Sequence, residues 1–135
     1  MKRIVVGFDG SEHGRKALER AVELAGDGTQ VAVVVSAEVS TLKKGATSAI
    51  DPAEAEARAE ALDDARSALG AQDVDAVFVE GVGHPADVIV QEAEESGADL
   101  VVVGTRGLNA AKRLVMGSVS TNVVHNAPCD VLVVR

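Results

Sequence analysis

DLVVVGTRGLNAAKRLVMGSVSTNVVHNAP, residues 99–128, reads as a strand, a glycine-bearing connection and a short helix. The run "DLVVVG" is apolar and β-branched without alternation, the pattern of a strand covered on both faces. Gly104 and Gly107 flank a turn just past it. Gly117 and Ser118 then open a helix that runs to about Asn126 and stops at Pro128. A strand that feeds a helix in this way belongs to a parallel sheet with crossover helices.

The same unit recurs on either side. "RIVVGF" (Arg3 to Phe8) predicts a buried strand, and "DGS" turns it into a helix that Ser11 can cap. That helix places Ala17, Leu18, Ala21, Val22 and Ala25 at helical spacing and ends at Gly26. "VAVVVSA" (Val31 to Ala37) is the second strand. Residues 38–51 form a long irregular loop, of the kind that in small domains is often functional. A helix starts near Pro52 and ends at Gly70. "VDAVFVE" (Val74 to Glu80) is the third strand, followed by a helix from Pro85 to Gly97. After the stretch that opens this section, "DVLVV" (Asp130 to Val134) is the fifth strand. Five strands and four helices in alternation imply a three-layer α/β domain spanning residues 1–135, with right-handed crossovers.

Composition narrows the function. The chain has 135 residues, of which 47% are hydrophobic, so one real core is affordable. It has no Trp or Tyr and only two Phe, which argues against stacking on single-stranded nucleic acid. Its net charge of −8 repels a nucleic-acid backbone. One cysteine, Cys129, allows no internal disulfide. The N-terminus does not read as a signal peptide, and no run approaches a membrane span. A cytoplasmic protein is the expectation.

The charge is uneven. No acid lies between Asp99 and Asp130, while Arg106, Lys112 and Arg113 fall inside the glycine segment. Glycines let another group approach the backbone, and a helix start offers unpaired amide hydrogens to an anion. Ser118 and Ser120 add hydroxyls. Together these residues read as a phosphate cradle. The plain alternative is a glycine-tolerant turn with a serine cap. The segment is not a Walker A loop, since no glycine precedes Lys and then Ser or Thr. "GVGHPA" (Gly81 to Ala86) also matches a dinucleotide fingerprint. It follows the third strand rather than the first and lacks the ribose-binding acid on the next strand, so it reads as a tight turn before a Pro-started helix.

With these features in place, the sequence resembles the universal stress protein family. The motif Gly-x2-Gly-x9-Gly-Ser is present in full as Gly104, Gly107, Gly117 and Ser118. "IVVGFDGS", "GHPADVIVQEAEESGADLVVVGTRG" and "APCDVLVVR" support it in order along the chain. The resemblance implies an adenine-nucleotide-binding α/β domain with sheet order 3-2-1-4-5, usually a homodimer, with ATP as the ligand of members that keep the motif. It implies that Gly104, Gly107, Gly117, Ser118, Val119 and Ser120 hold ribose and phosphates. Gly7, Phe8 and Asp9 would meet the nucleoside, and the Ser36 backbone would meet the adenine. Val103 and Arg106 complete the candidate set. Where members often carry His before the adenine position, this chain has Val35.

Other roles stay open. Asp9 is a helix-capping turn residue, a ribose hydroxyl acceptor or a ligand for phosphate-bound Mg²⁺, with the ribose role favoured. His13 and His125 read as solvated or structural, and His84 as near the site without touching ligand. Cys129 reads as packed rather than nucleophilic, and the acids of 54–64 as a solvated helix face. No catalytic or metal-binding set is expected. A nucleotide-binding regulator is favoured over a slow ATPase or phosphotransferase, and over an interaction module holding AMP, cyclic AMP or nothing. The apolar fifth strand, at a sheet edge, predicts pairing with a second copy through Asp130 to Arg135; the alternative is that loop 38–51 or another element covers the edge.

Overall fold

A computed structural model describes residues 1–40, 49–105 and 116–135. Five parallel strands form one sheet: β1 (Arg3–Gly7), β2 (Gln30–Ala37), β5 (Asp75–Val82), β6 (Leu100–Gly104) and β7 (Asp130–Val134). Their spatial order is β5-β2-β1-β6-β7, which is 3-2-1-4-5 for the five sheet strands in chain order. Two further strands, β3 (Val39–Ser40) and β4 (Ala49–Ile50), pair antiparallel outside that sheet. They correct the reading of 38–51 as wholly irregular; residues 41–48 lie outside the described residues. The helices are α1 (Glu12–Leu24), α2 (Pro52–Leu69), α3 (Pro85–Ser96) and α4 (Ser118–Asn126).

Strand alternation splits the core into two layers. Ile4, Val6, Val31, Val33 and Val102 face Ala17, Leu18 and Ala21 of α1 and Ala61, Leu62 and Ala65 of α2. Val5, Ala32, Val34, Val101 and Val103 face Ala86, Ile89 and Ala93 of α3 and Val123 of α4. β1 and β2 are buried on both faces, which is why their sequences show no polar alternation. Alanine on the helices lets them lie close to a sheet surface of valines, so aromatic bulk is not needed.

The helix ends show what local chemistry decides. Ser11 caps α1 as expected, its hydroxyl accepting from the Gly14 amide at 3.0 Å. Asp51 caps α2 by accepting from the Ala53 amide at 2.8 Å, with Pro52 in the first turn. Of the three glycines read as helix stops, only Gly97 adopts the left-handed conformation, at φ 63°. α1 already ends at Leu24, and Gly70 stays right-handed.

Chain order reverses at β1. β2 and β5 lie on one side of it, β6 and β7 on the other. β1 and β6 are direct neighbours, with Val5 opposite Val101, so the turns after these strands share one crevice.

Candidate functional site

A cleft of about 380 Å³ opens at the carboxyl ends of β1, β2 and β6, within the usual range for a small-molecule site. Of the twelve candidate residues, ten line it: Gly7, Phe8, Asp9, Ser36, Val103, Gly104, Gly117, Ser118, Val119 and Ser120. Arg106 and Gly107 lie outside the described residues, as do Lys112 and Arg113.

Two of the strand ends that line it, at Gly7 and Gly104, lack a side chain, and the reason for the glycines differs from the sequence reading. A Cβ on Gly104 would stand 2.7 Å from the main-chain carbonyl of His13 on α1. One on Gly7 would stand 2.5 Å from Ile89 Cδ1. The group approaching Gly104 is therefore a helix backbone of the protein itself, and its φ is not positive. Both glycines let α1 and α3 close onto the sheet, and they leave bare main chain at those two points of the cleft.

Asp9 holds the turn after β1. Its Oδ1 accepts from the Ser11 amide at 2.9 Å, while Gly10 takes φ 85°. The turn-forming alternative is thus real, and the exposed carboxylate also lines the cleft.

The phosphate-cradle reading turns on α4. Gly117, not a serine, is its N-cap, and no side chain caps it. Ser118 is the first helical residue, so the plain alternative of a serine cap does not describe this helix. The Gly117 amide donates to the Thr105 carbonyl at 2.6 Å, and the helix ladder begins with the Thr121 amide donating to the Gly117 carbonyl at 3.0 Å. Between them, the amides of Ser118, Val119 and Ser120 have no acceptor among the described residues. They sit at the positive end of the helix dipole, in the wall of the cleft. α1 and α2 are closed by their own caps, and α3 begins with Pro85, which has no amide hydrogen. α4 alone opens on the cleft with uncapped amides at all of its first three residues.

The hydroxyl of Ser120 is already engaged. Its Oγ lies 3.0 Å from both the Thr105 and Gly117 carbonyls, and the residue is buried. What Ser120 offers a ligand is its amide. Thr105 was not foreseen and proves central: its carbonyl receives Gly117 and Ser120, its amide donates to the Val134 carbonyl at 2.8 Å, and its Oγ1 lies 3.3 Å from His13 Nδ1. That fastens α4 to the ends of β6 and β7, and gives His13 a place in the scaffold.

The opposite wall carries side chains the sequence reading passed over. Glu54, Ala57, Arg58 and Ala61 of α2 line it, with Glu38 beyond β2. Glu54 therefore rims the cleft rather than standing only on a solvated face. Arg58 Nη1 donates to the Gly81 carbonyl at 2.8 Å, and Gly81 is the register partner of Ser36. Ser36 Oγ donates to the Gly83 carbonyl at 2.5 Å, and the Gly83 amide donates to the Ala37 carbonyl at 2.9 Å. Nothing in "AEAEARAEAL" marks this arginine, since any helix face of alanines and charges looks alike in sequence.

His84, expected near the cleft without contact to ligand, lies in its lining. "GVGHPA" is the tight turn expected of it: Gly83 takes φ 125°, and a Cβ on Gly81 would stand 2.3 Å from Val88 Cγ1. Cys129 is packed against the α3–α4 layer, and burial, then the charges of Asp130 and Asp99, push its thiol pKa up. That is the opposite of an activated nucleophile. His125 is exposed on the last turn of α4. Among the described residues no cluster of metal-ligating side chains occurs, and no helix is long and apolar enough to cross a membrane.

With this geometry established, comparison with known proteins gives a single answer. The model of the universal stress protein family matches residues 1–135. A universal stress protein of Thermus aquaticus is 36% identical over 142 residues, covering 99% of this chain and 98% of its own length. Among solved structures, the universal stress protein from Archaeoglobus fulgidus in complex with dAMP superposes with a TM-score of 0.76 at 27% identity, covering 100% of this chain and 98% of that one. A universal stress protein in complex with cAMP superposes at 0.66 with 31% identity, covering 99% and 97%.

Proposed function

The chain belongs to the universal stress protein family, and on that premise we propose that it is an ATP-binding regulatory protein whose cleft takes the nucleotide across β1 and β6. The single observation that carries this reading is the uncapped start of α4 in the wall of the cleft. The amides of Ser118, Val119 and Ser120 receive the phosphates. They supply partial positive charge without adding a cation, in a chain whose net charge of −8 would otherwise repel the ligand. Arg106, Gly107 and Gly104 complete the phosphate end. Gly7, Phe8 and Val103 contact the nucleoside, Asp9 accepts a ribose hydroxyl, and the Ser36 main chain meets the adenine. Relatives bound to dAMP and cAMP support the adenine nucleotide class.

Nucleotide occupancy reaches a partner through the sheet edge. β7 pairs with β6 on one side, and its residues Val131–Val134 are half-buried. A second copy pairing there about a two-fold axis gives a homodimer. Thr105 supports such a link, since it bonds to both α4 and Val134.

The test is to denature freshly purified protein, identify released nucleotide by mass spectrometry, and measure ATP, ADP and AMP binding by calorimetry. ATP in stoichiometric amount, or binding in the micromolar range that Gly117→Val abolishes while the variant stays folded, is expected. Gly117 has φ −70°, which any residue adopts, so the variant folds. Undiminished affinity in that variant removes α4 from the site. Light scattering of the purified chain reads the dimer; a monomer at all concentrations removes the β7 pairing.

A further inference from the structure

α1 and α2 are held at their starts by side chains that accept from an amide of the first turn, Ser11 from Gly14 and Asp51 from Ala53. Such a cap steadies a helix by using a donor that an anion would need. α4 is held in another way. Its N-cap is Gly117, the residue type that restrains a backbone least, and its nine residues are fewer than an isolated helix needs. Its buried serine stands three places later, inside the first turn. Ser120 is 2% exposed, and its hydroxyl lies 3.0 Å from two carbonyls, that of Gly117 in the same turn and that of Thr105 just past β6. A hydroxyl has one hydrogen, so the two carbonyls share it. The Thr105 carbonyl also receives the Gly117 amide, and the Thr105 amide donates to the Val134 carbonyl. These bonds grip α4 through its N-cap and through a hydroxyl. None of them uses the amides of Ser118, Val119 or Ser120. The helix start is fixed, and its donors are left over.

We propose that the Ser120 hydroxyl is a positioning group for phosphate: it sets the direction of the three amides and does not touch the ligand. This rests on the nucleotide reading above and assigns the second serine of "GSVS" a different task from the first. In the sequence both serines read as donors to phosphate. Ser118 is exposed at the first helical position, whereas Ser120 is buried at the third with its hydroxyl bound to the protein. A serine at the N-cap would also hold α4, but it would occupy the amides. At the third position it holds the turn and leaves them free. Direction matters because a hydrogen bond weakens steeply as its angle closes below the straight one. Amides that lose their common aim therefore lose the phosphate before the helix is lost.

The experiment measures ATP affinity by calorimetry and adenosine affinity by competition against ATP, with thermal unfolding alongside. It compares the full chain, Ser120→Ala, and Ser120→Ala combined with Gly117→Ser. Ser120→Ala is expected to weaken ATP by about tenfold, the worth of one well-placed hydrogen bond. Adenosine, which has no phosphate for α4 to hold, is expected to keep its affinity. A general loosening of the cleft would weaken both ligands alike. The double variant moves the serine to the N-cap. It is expected to regain the unfolding temperature that Ser120→Ala loses, because serine is a favoured cap, and not to regain ATP affinity. If Ser120→Ala does not fold, the capped double variant carries the same comparison of ATP with adenosine. Undiminished ATP affinity in either variant, or an equal loss of ATP and adenosine, overturns the proposal while leaving nucleotide binding intact. Absence of binding of both ligands by the unmodified chain overturns both readings.

Discussion

β5 and β6 each carry a glycine at or next to their carboxyl end, and each is followed along the chain by a helix that no side chain caps. At each, the glycine exists because a helix lies against it: Val88 of α3 over Gly81, and the His13 main chain of α1 over Gly104. The two then part. The β5 turn is closed at once by Pro85, and its main-chain groups are spent on Ala37, Ser36 and Arg58. Beyond β6, α4 begins after its Gly117 cap with three amides unspent among the described residues. Equal glycine content therefore says little about ligand binding. What separates a structural turn from the proposed binding segment is whether the protein itself consumes the polar groups there.

The largest expected effect tests the shared part of the comparison. Gly104→Val forces a side chain into the His13 main chain, which cannot rotate away. It should cost about 3 kcal/mol, the upper part of the overpacking range, and lower the unfolding temperature by on the order of 10 °C. Gly81→Ala meets the side chain of Val88 rather than a main chain and should cost about 1 kcal/mol. Denaturant titration of both variants checks the order; equal losses would mean that the two glycines serve the same purpose.

A smaller effect tests the difference. Gly117→Asp places a carboxylate where the N-cap and the helix dipole both favour one. It should stabilise the protein by about half a kcal/mol and abolish nucleotide binding, since the new carboxylate occupies the amides proposed to receive phosphate. Stability and binding moving in opposite directions is the mark of an anion site kept open. A stabilised variant that still binds would mean that these amides are not the site.

The smallest effect lies at the other end of β6. Asp99 Oδ2 accepts from the Arg3 and Lys2 amides, and these bonds hold its carboxyl below the usual carboxylate range. A lowered folded-state pKa stabilises above the unfolded value, and that gain is lost as pH falls through the folded value. Thermal unfolding of Asp99→Asn should therefore lose less on acidification than that of the unmodified chain, with no change in nucleotide affinity. A change in affinity would mean that the two ends of β6 are not independent.

The alternation of five sheet strands and four helices was legible in the chain alone, unlike β3 and β4, because β-branched runs, Ser11, Pro52 and Pro85 act through local sterics and short-range hydrogen bonds. Ten residues of the cleft lining were also legible, Gly104, Gly117, Ser118 and Ser120 from local chemistry and Gly7, Phe8, Asp9, Ser36, Val103 and Val119 from the family resemblance. Only the tertiary structure decided that Gly104 answers to α1, that the Ser120 hydroxyl is spent on Thr105, and that Glu54 and Arg58 look into the cleft. These are facts about which distant main-chain groups meet. Residues 54 and 58 lie far along the chain from 81 and 104, and no pattern along one segment records what another segment brings against it.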